Sequence, residues 1–355
     1  MEGLHCAMSN AVSSRLIRGI KLGSFDITLS HLFYADDVVI TIDWNSRDID
    51  NIICVLNVFY LASGVRINIP KSNLYGIGVS NDEISFLASR TGCVACSFPF
   101  THLGLPIGAN MNLTSSWSVL IDRFQKRLAL WKANLLSIGG HLTLFKAVLS
   151  SLGIYYLLNF KAPETILNTL ESIRSRFFWG GSQNSKNIAW VKWSQVLPSF
   201  DKGGLNIGCL KAFNLALLQK WRWRMFSSPN TLWVNTIKAL HGQDSGLDNK
   251  GCSFNGTWSR IVGTSNFLHS KDIIPLNSFR FKVGYGTRIR FWKDIWIGDS
   301  PLLTRYNRLY RLDQDKDCLI IDRIVNGRWN WNWSRANIGI QNMAYLRLTD
   351  GNKPN

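Results

Sequence analysis

Two consecutive aspartates, Asp36 and Asp37, interrupt an otherwise apolar stretch: Leu32 and Phe33 precede them, and Val38, Val39 and Ile40 follow. The segments 25–33 and 38–42 are rich in apolar and β-branched residues, so the pattern predicts strand, turn, strand, with both carboxylates at the hairpin tip. An ionised carboxylate pair in apolar surroundings is costly unless a cation compensates it. Mg²⁺ suits that role, because it takes hard oxygen ligands, typically one or two carboxylates completed by phosphate and water. Two such ions stabilise the attacking and leaving oxygens of a nucleotidyl transfer. On these residues alone a second reading stands beside the first, an exposed turn carrying two ordinary aspartates.

The elements that must position the tip are legible around it. Ser46 is placed to cap a helix whose Ile49, Ile52, Ile53, Leu56, Phe59 and Tyr60 recur at helical spacing until Gly64. That helix is expected to lie on the sheet of the hairpin. Val65, Ile67 and Ile69 alternate as a further strand stopped by Pro70, and Ser80 to Glu83 form a capping box for a short helix to Arg90. After a loop or short ribbon at 102–108, the pattern turns helical for a long way. Thr114 opens a helix with Trp117, Leu120, Ile121, Phe124, Leu128 and Trp131 inward; 140–158 reads as a second; a third starts at Pro163 and ends at Gly180-Gly181. A further helix over about 210–226 ends in Lys220-Trp221-Arg222-Trp223-Arg224, and 279–283 with 288–291 flank Gly284-Tyr285-Gly286 as a hairpin.

Charge is unevenly shared. The 355 residues hold 40 Lys and Arg against 23 Asp and Glu, a net +17. Residues 1–150 carry 12 basic and 10 acidic side chains (+2), which leaves 28 and 13 (+15) for 151–355. Together with 15 tryptophans, this field suits a polyanion held through counterion release; solubility or an anionic surface are the other uses of such a field. Lys220, Arg222 and Arg224, interleaved with tryptophan, and the hairpin cations Arg280, Lys282, Arg288 and Arg290 are the candidate contacts. Each set reads equally as the solvated face of a helix or ribbon.

Apolar content of 46% is enough for a sizeable core and for two or more domains. No apolar run approaches the ~18 to 20 residues of a membrane span. The start of the chain lacks the basic and apolar regions of a signal peptide, so a nuclear or cytoplasmic, non-secreted protein without a membrane partner is expected. Of seven cysteines only Cys93 and Cys96 are close, with no second pair to complete a zinc site, and they read as buried thiols more readily than as ligands.

His31-Leu32-Phe33-Tyr34-Ala35-Asp36-Asp37 resembles the Tyr-Ala-Asp-Asp hairpin of reverse transcriptases, and further blocks follow in that family's order. Ser63-Gly64-Val65-Arg66-Ile67-Asn68 with Lys71-Ser72 resembles the block after the catalytic hairpin, and 102–108 resembles the primer grip. Phe177-Phe178-Trp179-Gly180, Trp190, Lys202-Gly203-Gly204-Leu205, Gly284-Tyr285-Gly286, Phe291-Trp292 and Trp296 are similar to the C-terminal region of plant LINE-type polyproteins. The resemblance implies an α+β fold: part of a reverse-transcriptase palm over 1–110, a helical thumb-like lobe over 111–200, and a basic, aromatic-rich region over 201–355.

It also implies roles. Asp36 is the principal metal ligand with Asp37 beside it, Tyr34 lies near the primer end, and Lys71 approaches the leaving pyrophosphate. Leu103 and Gly104 fall in the primer grip. The partners implied are an RNA template, a DNA primer and dNTPs, with Mg²⁺ as cofactor; oligomeric state is left open. The family needs one more aspartate from an earlier strand, yet the 35 residues before Asp36 hold only Glu2 and Asp26 as carboxylates. The family's Cys/His zinc-binding segment has no counterpart after Trp296, where Cys318 stands alone. The chain by itself is therefore expected to be inactive, with a palm portion whose sheet edges are exposed.

Overall fold

The computed structural model describes residues 2–22, 27–129, 136–149, 151–180, 188–242, 245–246, 252, 255–274, 283–287, 289–298, 300–325 and 328–334. The architecture is mixed α and β, with helices and small two-stranded sheets. Two compact units divide the chain, 1–266 and 267–355.

In the first unit, helix α1 (Glu2–Ser13) precedes the ribbon of β1 (Ile20–Leu22) and β2 (Ile27–Leu29), which pair antiparallel. Next come β3 (His31–Tyr34) and β4 (Asp37–Ile40), also antiparallel, with Phe33 opposite Val38 and Tyr34 opposite Asp37. Helix α2 (Ser46–Ser63) starts one residue earlier than expected, because Asn45 rather than Ser46 caps it, its side-chain oxygen accepting from the Arg47 amide. Gly64 ends α2 at φ 73°, the left-handed value that only glycine takes without strain. Strand alternation sends Phe33, Val38 and Ile40 to one face of the hairpin, where they pack on Leu4 and Met8 of α1 and Ile52 and Leu56 of α2. The helix thus lies on the ribbon as its period requires.

The strand expected at 65–69 does not form. Pro70 has no amide to give a ladder, and Asn68 instead caps a 3₁₀ turn over Ile69–Lys71 by accepting from the Lys71 amide at 3.2 Å. Ile67 and Ile69 still pack on the helix core. Pairing resumes at β5 (Asn73–Tyr75), parallel to β6 (Val94–Cys96), with α3 (Asn81–Thr91) as the crossover. Cys96 lies in β6 and donates to the Asn73 side chain, a structural use of that thiol. The short ribbon follows as β7 (Phe100–His102) and β8 (Leu105–Ile107).

The helical part builds the largest core. A 3₁₀ turn over Thr114–Trp117 leads into α4 (Ser118–Ala129), which buries Leu120 and Phe124, while Trp117 is buried with its indole N–H donating to the Met111 carbonyl. Trp131 falls outside the described residues. The single helix expected over 140–158 is three pieces: α5 (Ile138–Leu144), a π-turn over Phe145–Leu149, and α6 (Ile154–Asn159). Gly153 is the N-cap of the last piece and lies close to the Phe124 ring, at a distance where a Cβ would make ordinary van der Waals contact. Then come α7 (Glu164–Phe178), the short α8 (Trp193–Val196) and α9 (Leu210–Ser227). The first unit closes with α10 (Leu232–His241) and most of α11 (Thr257–Ser270).

The second unit has its own core of Ile289, Phe291, Trp292, Leu302 and Ile320, covered by Trp296, Trp329, Trp331 and Trp333. Its elements are α12 (Leu302–Arg305), α13 (Asn307–Leu312) and the ribbon of β9 (Ile324–Val325) and β10 (Arg328–Trp329). At its centre the Asp313 carboxylate accepts from the Trp292 indole at 2.6 Å and pairs with the Arg323 guanidinium, both ions being buried.

Phe124 is fully enclosed in the helical core. Phe124→Ala is expected to lower stability by about 3–5 kcal/mol, the range for truncating a buried aromatic side chain. Denaturant unfolding monitored by far-UV circular dichroism checks this; a loss under about 1 kcal/mol would mean that this core is not packed as described.

Candidate nucleic-acid interface

The tip between β3 and β4 is a tight turn with Ala35 at φ 48°. A residue with a Cβ is strained there, and such strain persists where the surroundings impose it, often at functional sites. Tyr34 is 62% exposed, and Asp36 and Asp37 both face water. Solvent removes the desolvation penalty expected from the apolar flanks: those flanks turn inward to the helices, and the tip projects beyond them. The two carboxylates remain hard oxygen donors of the kind Mg²⁺ accepts, in the number it commonly takes from protein. Among the described residues no group of three His, Cys, Asp or Glu side chains converges.

Lys71 is exposed at the end of the 3₁₀ turn that replaces the expected strand. Leu103 and Gly104 form the two-residue turn of the β7–β8 ribbon, at φ 50° and 77°. Consecutive positive φ values are those of a hairpin turn that favours Asn-Gly. Gly104 is suited to it, whereas Leu103 places a half-exposed apolar side chain where strain is highest.

The basic-aromatic segment lies on the last turns of α9. Neither sequence reading describes it fully. Trp221 is half-buried, its indole N–H donating to the Leu158 carbonyl at 2.7 Å, and Arg224 lies over its ring at 5.3 Å. Arg222 turns inward, and burial pushes its pKa below the usual guanidinium value. Lys220 and Arg224 face outward, with Trp223 49% exposed. Phe213, Ala216, Lys220, Trp223 and Arg224 share one exposed stripe at helical spacing. The stripe carries two aromatic rings, two cations and a small residue between them, and α9 contains no Asp or Glu. From Phe213 to Trp223 the helix rises about 15 Å. Phe213 was missed in the sequence because the apolar residues of α9 are spread around the whole helix, so no period marked the outward face.

Of the cations expected on the 279–291 hairpin, Arg280, Lys282 and Arg288 lie outside the described residues. Arg290 is half-buried and engaged by Asp294, which accepts from both its side chain (2.9 Å) and its amide (2.7 Å). Arg290 forms an isolated antiparallel bridge with Leu319, and the Ile320 amide donates to the Ile289 carbonyl. Among the described residues no helix is long and apolar enough to cross a membrane.

No family model matches the chain. It is 30% identical over 232 residues to an Arabidopsis thaliana protein named "Putative ribonuclease H protein", a match covering 64% of this chain and 36% of that protein. It is 28% identical over 158 residues to an uncharacterized mitochondrial protein of the same plant, covering 44% of this chain and 99% of that one. The chain is thus a distant, partial homologue of both, and spans about a third of the length of the first.

If Leu103 is held at positive φ only by the ribbon, Leu103→Asn, a residue tolerant of that conformation, should raise stability by about 0.5–1 kcal/mol. Thermal melting of the two proteins side by side checks this. A loss of stability would show instead that the Leu103 side chain packs productively.

Proposed function

We propose that the chain is part of an RNA-directed DNA polymerase of the plant LINE-type, non-LTR retrotransposon class, whose intact form adds dNTPs to a DNA primer on an RNA template. In this reading residues 1–110 belong to the palm, 111–200 to a thumb-like lobe, and 201–355 to a basic region that holds nucleic acid. The observation that carries it is the solvent-facing Asp36-Asp37 pair on a strained hairpin tip, in a chain whose other motifs follow in that family's order. Distant homology to a plant protein named for ribonuclease H supports a nucleic-acid-processing setting.

Asp36 and Asp37 would hold Mg²⁺, which when bound neutralises charge on phosphate oxygens. Tyr34 would border the primer end, Lys71 would offset charge on the leaving pyrophosphate, and the Leu103-Gly104 turn would steady the primer. The metal site needs a further carboxylate that the described residues do not bring to the tip, so the chain alone is proposed to be inactive.

A non-catalytic nucleic-acid-binding role is the second reading, and the exposed stripe of α9 favours it. Stacking on Phe213 and Trp223 with neutralisation by Lys220 and Arg224 suits a single strand of any sequence.

Primer extension on an RNA template with Mg²⁺ and dNTPs, paired with retention of the same duplex at several salt concentrations, tests both readings. No extension is expected from the chain or from Asp36→Asn, with binding that weakens as salt rises. Trp223→Ala should weaken single-strand binding by about 5- to 100-fold, and Lys220→Ala with Arg224→Ala should flatten the salt slope by about two phosphates. Extension lost in Asp36→Asn would overturn the proposed inactivity. Cleavage of the RNA strand would move the reading to a ribonuclease, and salt-independent or absent binding would remove both readings.

A further inference from the structure

Away from the carboxylate tip, α1 and β3 each contribute a histidine to one contact. His5 Nδ1 lies 2.7 Å from His31 Nε2, with the rings edge to face. The other nitrogen of His31, Nδ1, lies 2.9 Å from the Ser30 hydroxyl oxygen. His5 is exposed, so its far nitrogen meets water, while His31 is half-buried and packs at a tilt against Phe33.

These contacts admit more than one tautomer, and one of them presents a ring nitrogen to a metal. With the His31 Nδ1 proton donated to the Ser30 oxygen, the Nε2 lone pair points at His5; a ring nitrogen held this way by a neighbouring acceptor is how metal-binding histidines are oriented. His5 then has two states. With its proton on Nδ1 it closes an N–H···N bond to His31. With its proton on the solvent-facing Nε2, two imidazole lone pairs face each other across the gap. Zn–N bonds of about 2.0–2.1 Å at angles near 90° to 110° require the two nitrogens to stand about 3 Å apart with both lone pairs converging on a point off the line between them, so the metal replaces the hydrogen bond and the exposed His5 ring on α1 turns as the gap opens.

We propose that His5 and His31 form a two-imidazole site for a borderline divalent transition metal, Zn²⁺, Ni²⁺ or Cu²⁺, which clasps α1 to the strand leading to Asp36. Water completes the coordination. The site is chemically distinct from the carboxylate tip: imidazole nitrogen selects these ions, and Asp36 and Asp37 select Mg²⁺. From the N–H···N state the His5 proton must first move from Nδ1 to the solvent-facing Nε2; once it has, neutral histidines bind the metal without net proton release.

The test is thermal melting and isothermal titration of the whole chain with Zn²⁺, Ni²⁺ and Mg²⁺ separately. Zn²⁺ and Ni²⁺ are expected to raise the melting temperature by about 2–5 °C at saturating metal, with Mg²⁺ giving no such rise. His5→Ala, at an exposed position, should leave the metal-free melt nearly unchanged and abolish the shift; His5→Gln should abolish it too. Asp36→Asn should retain it. A shift that survives His5→Ala, or no binding of Zn²⁺ or Ni²⁺ by the wild type, overturns the proposal and leaves the pair as a hydrogen bond only.

Discussion

Asn214 lies on the buried face of α9 at 2% exposure, and its amide group makes three hydrogen bonds. Its oxygen accepts from the Ala162 amide, and its nitrogen donates to the Leu157 and Phe160 carbonyls. One helical turn earlier, the Leu210 amide donates to Glu171, whose carboxylate also accepts from Arg174 and from the Trp193 indole. Burial lowers the Arg174 pKa and the Glu171 charge opposes that shift, so each ion makes the other tolerable inside the lobe. Hydrogen bonds to buried backbone carbonyls cannot slip by a residue without leaving polar groups unsatisfied. The rotational setting of α9 is therefore fixed, and with it the stripe of Phe213, Lys220, Trp223 and Arg224 that faces out.

The same logic explains why the tip and the stripe differ in kind. At the tip, the inward faces of β3 and β4 are occupied by α1 and α2, and the turn, closed by the Tyr34–Asp37 pairing and strained at Ala35, extends past the core. In the proposed polymerase reading, metal binding at the tip would call for a further carboxylate from outside the hairpin. The stripe of α9 is complete on one helix, anchored from behind, and suited to binding without catalysis.

Most elements were legible where one physical signal dominated. Helix α2 was marked by its apolar period, α3 by the Ser80 capping box and α7 by Pro163 at its start, and the Asp-Asp turn was bounded by two apolar strands. What the sequence hid was tertiary. The alternation at 65–69 imitated a strand because Ile67 and Ile69 pack on a core, yet the backbone there is governed by Pro70 and Asn68. The apolar run at 140–158 read as one helix, but the π-turn over Phe145–Leu149 and the new N-cap at Gly153 divide it. The alternating Lys-Trp-Arg-Trp-Arg run looked like a uniform basic surface, whereas a helix turns its members to opposite sides. Arg222 went inward and Trp223 outward, an outcome decided by which neighbours face α9. His5 and His31, 26 residues apart, carried no shared signal before folding brought α1 onto β3.

The most direct measurement is photocrosslinking of a 5-iodouridine-substituted RNA strand to the intact chain, followed by peptide mapping. The halogenated base reacts preferentially with aromatic rings that stack on it. The account predicts crosslinks on the 210–227 segment, at Phe213 and Trp223, that disappear at high salt and in Trp223→Ala. Crosslinks confined to other segments, or unchanged when that stripe is altered, would contradict the claim that α9 presents the nucleic-acid face.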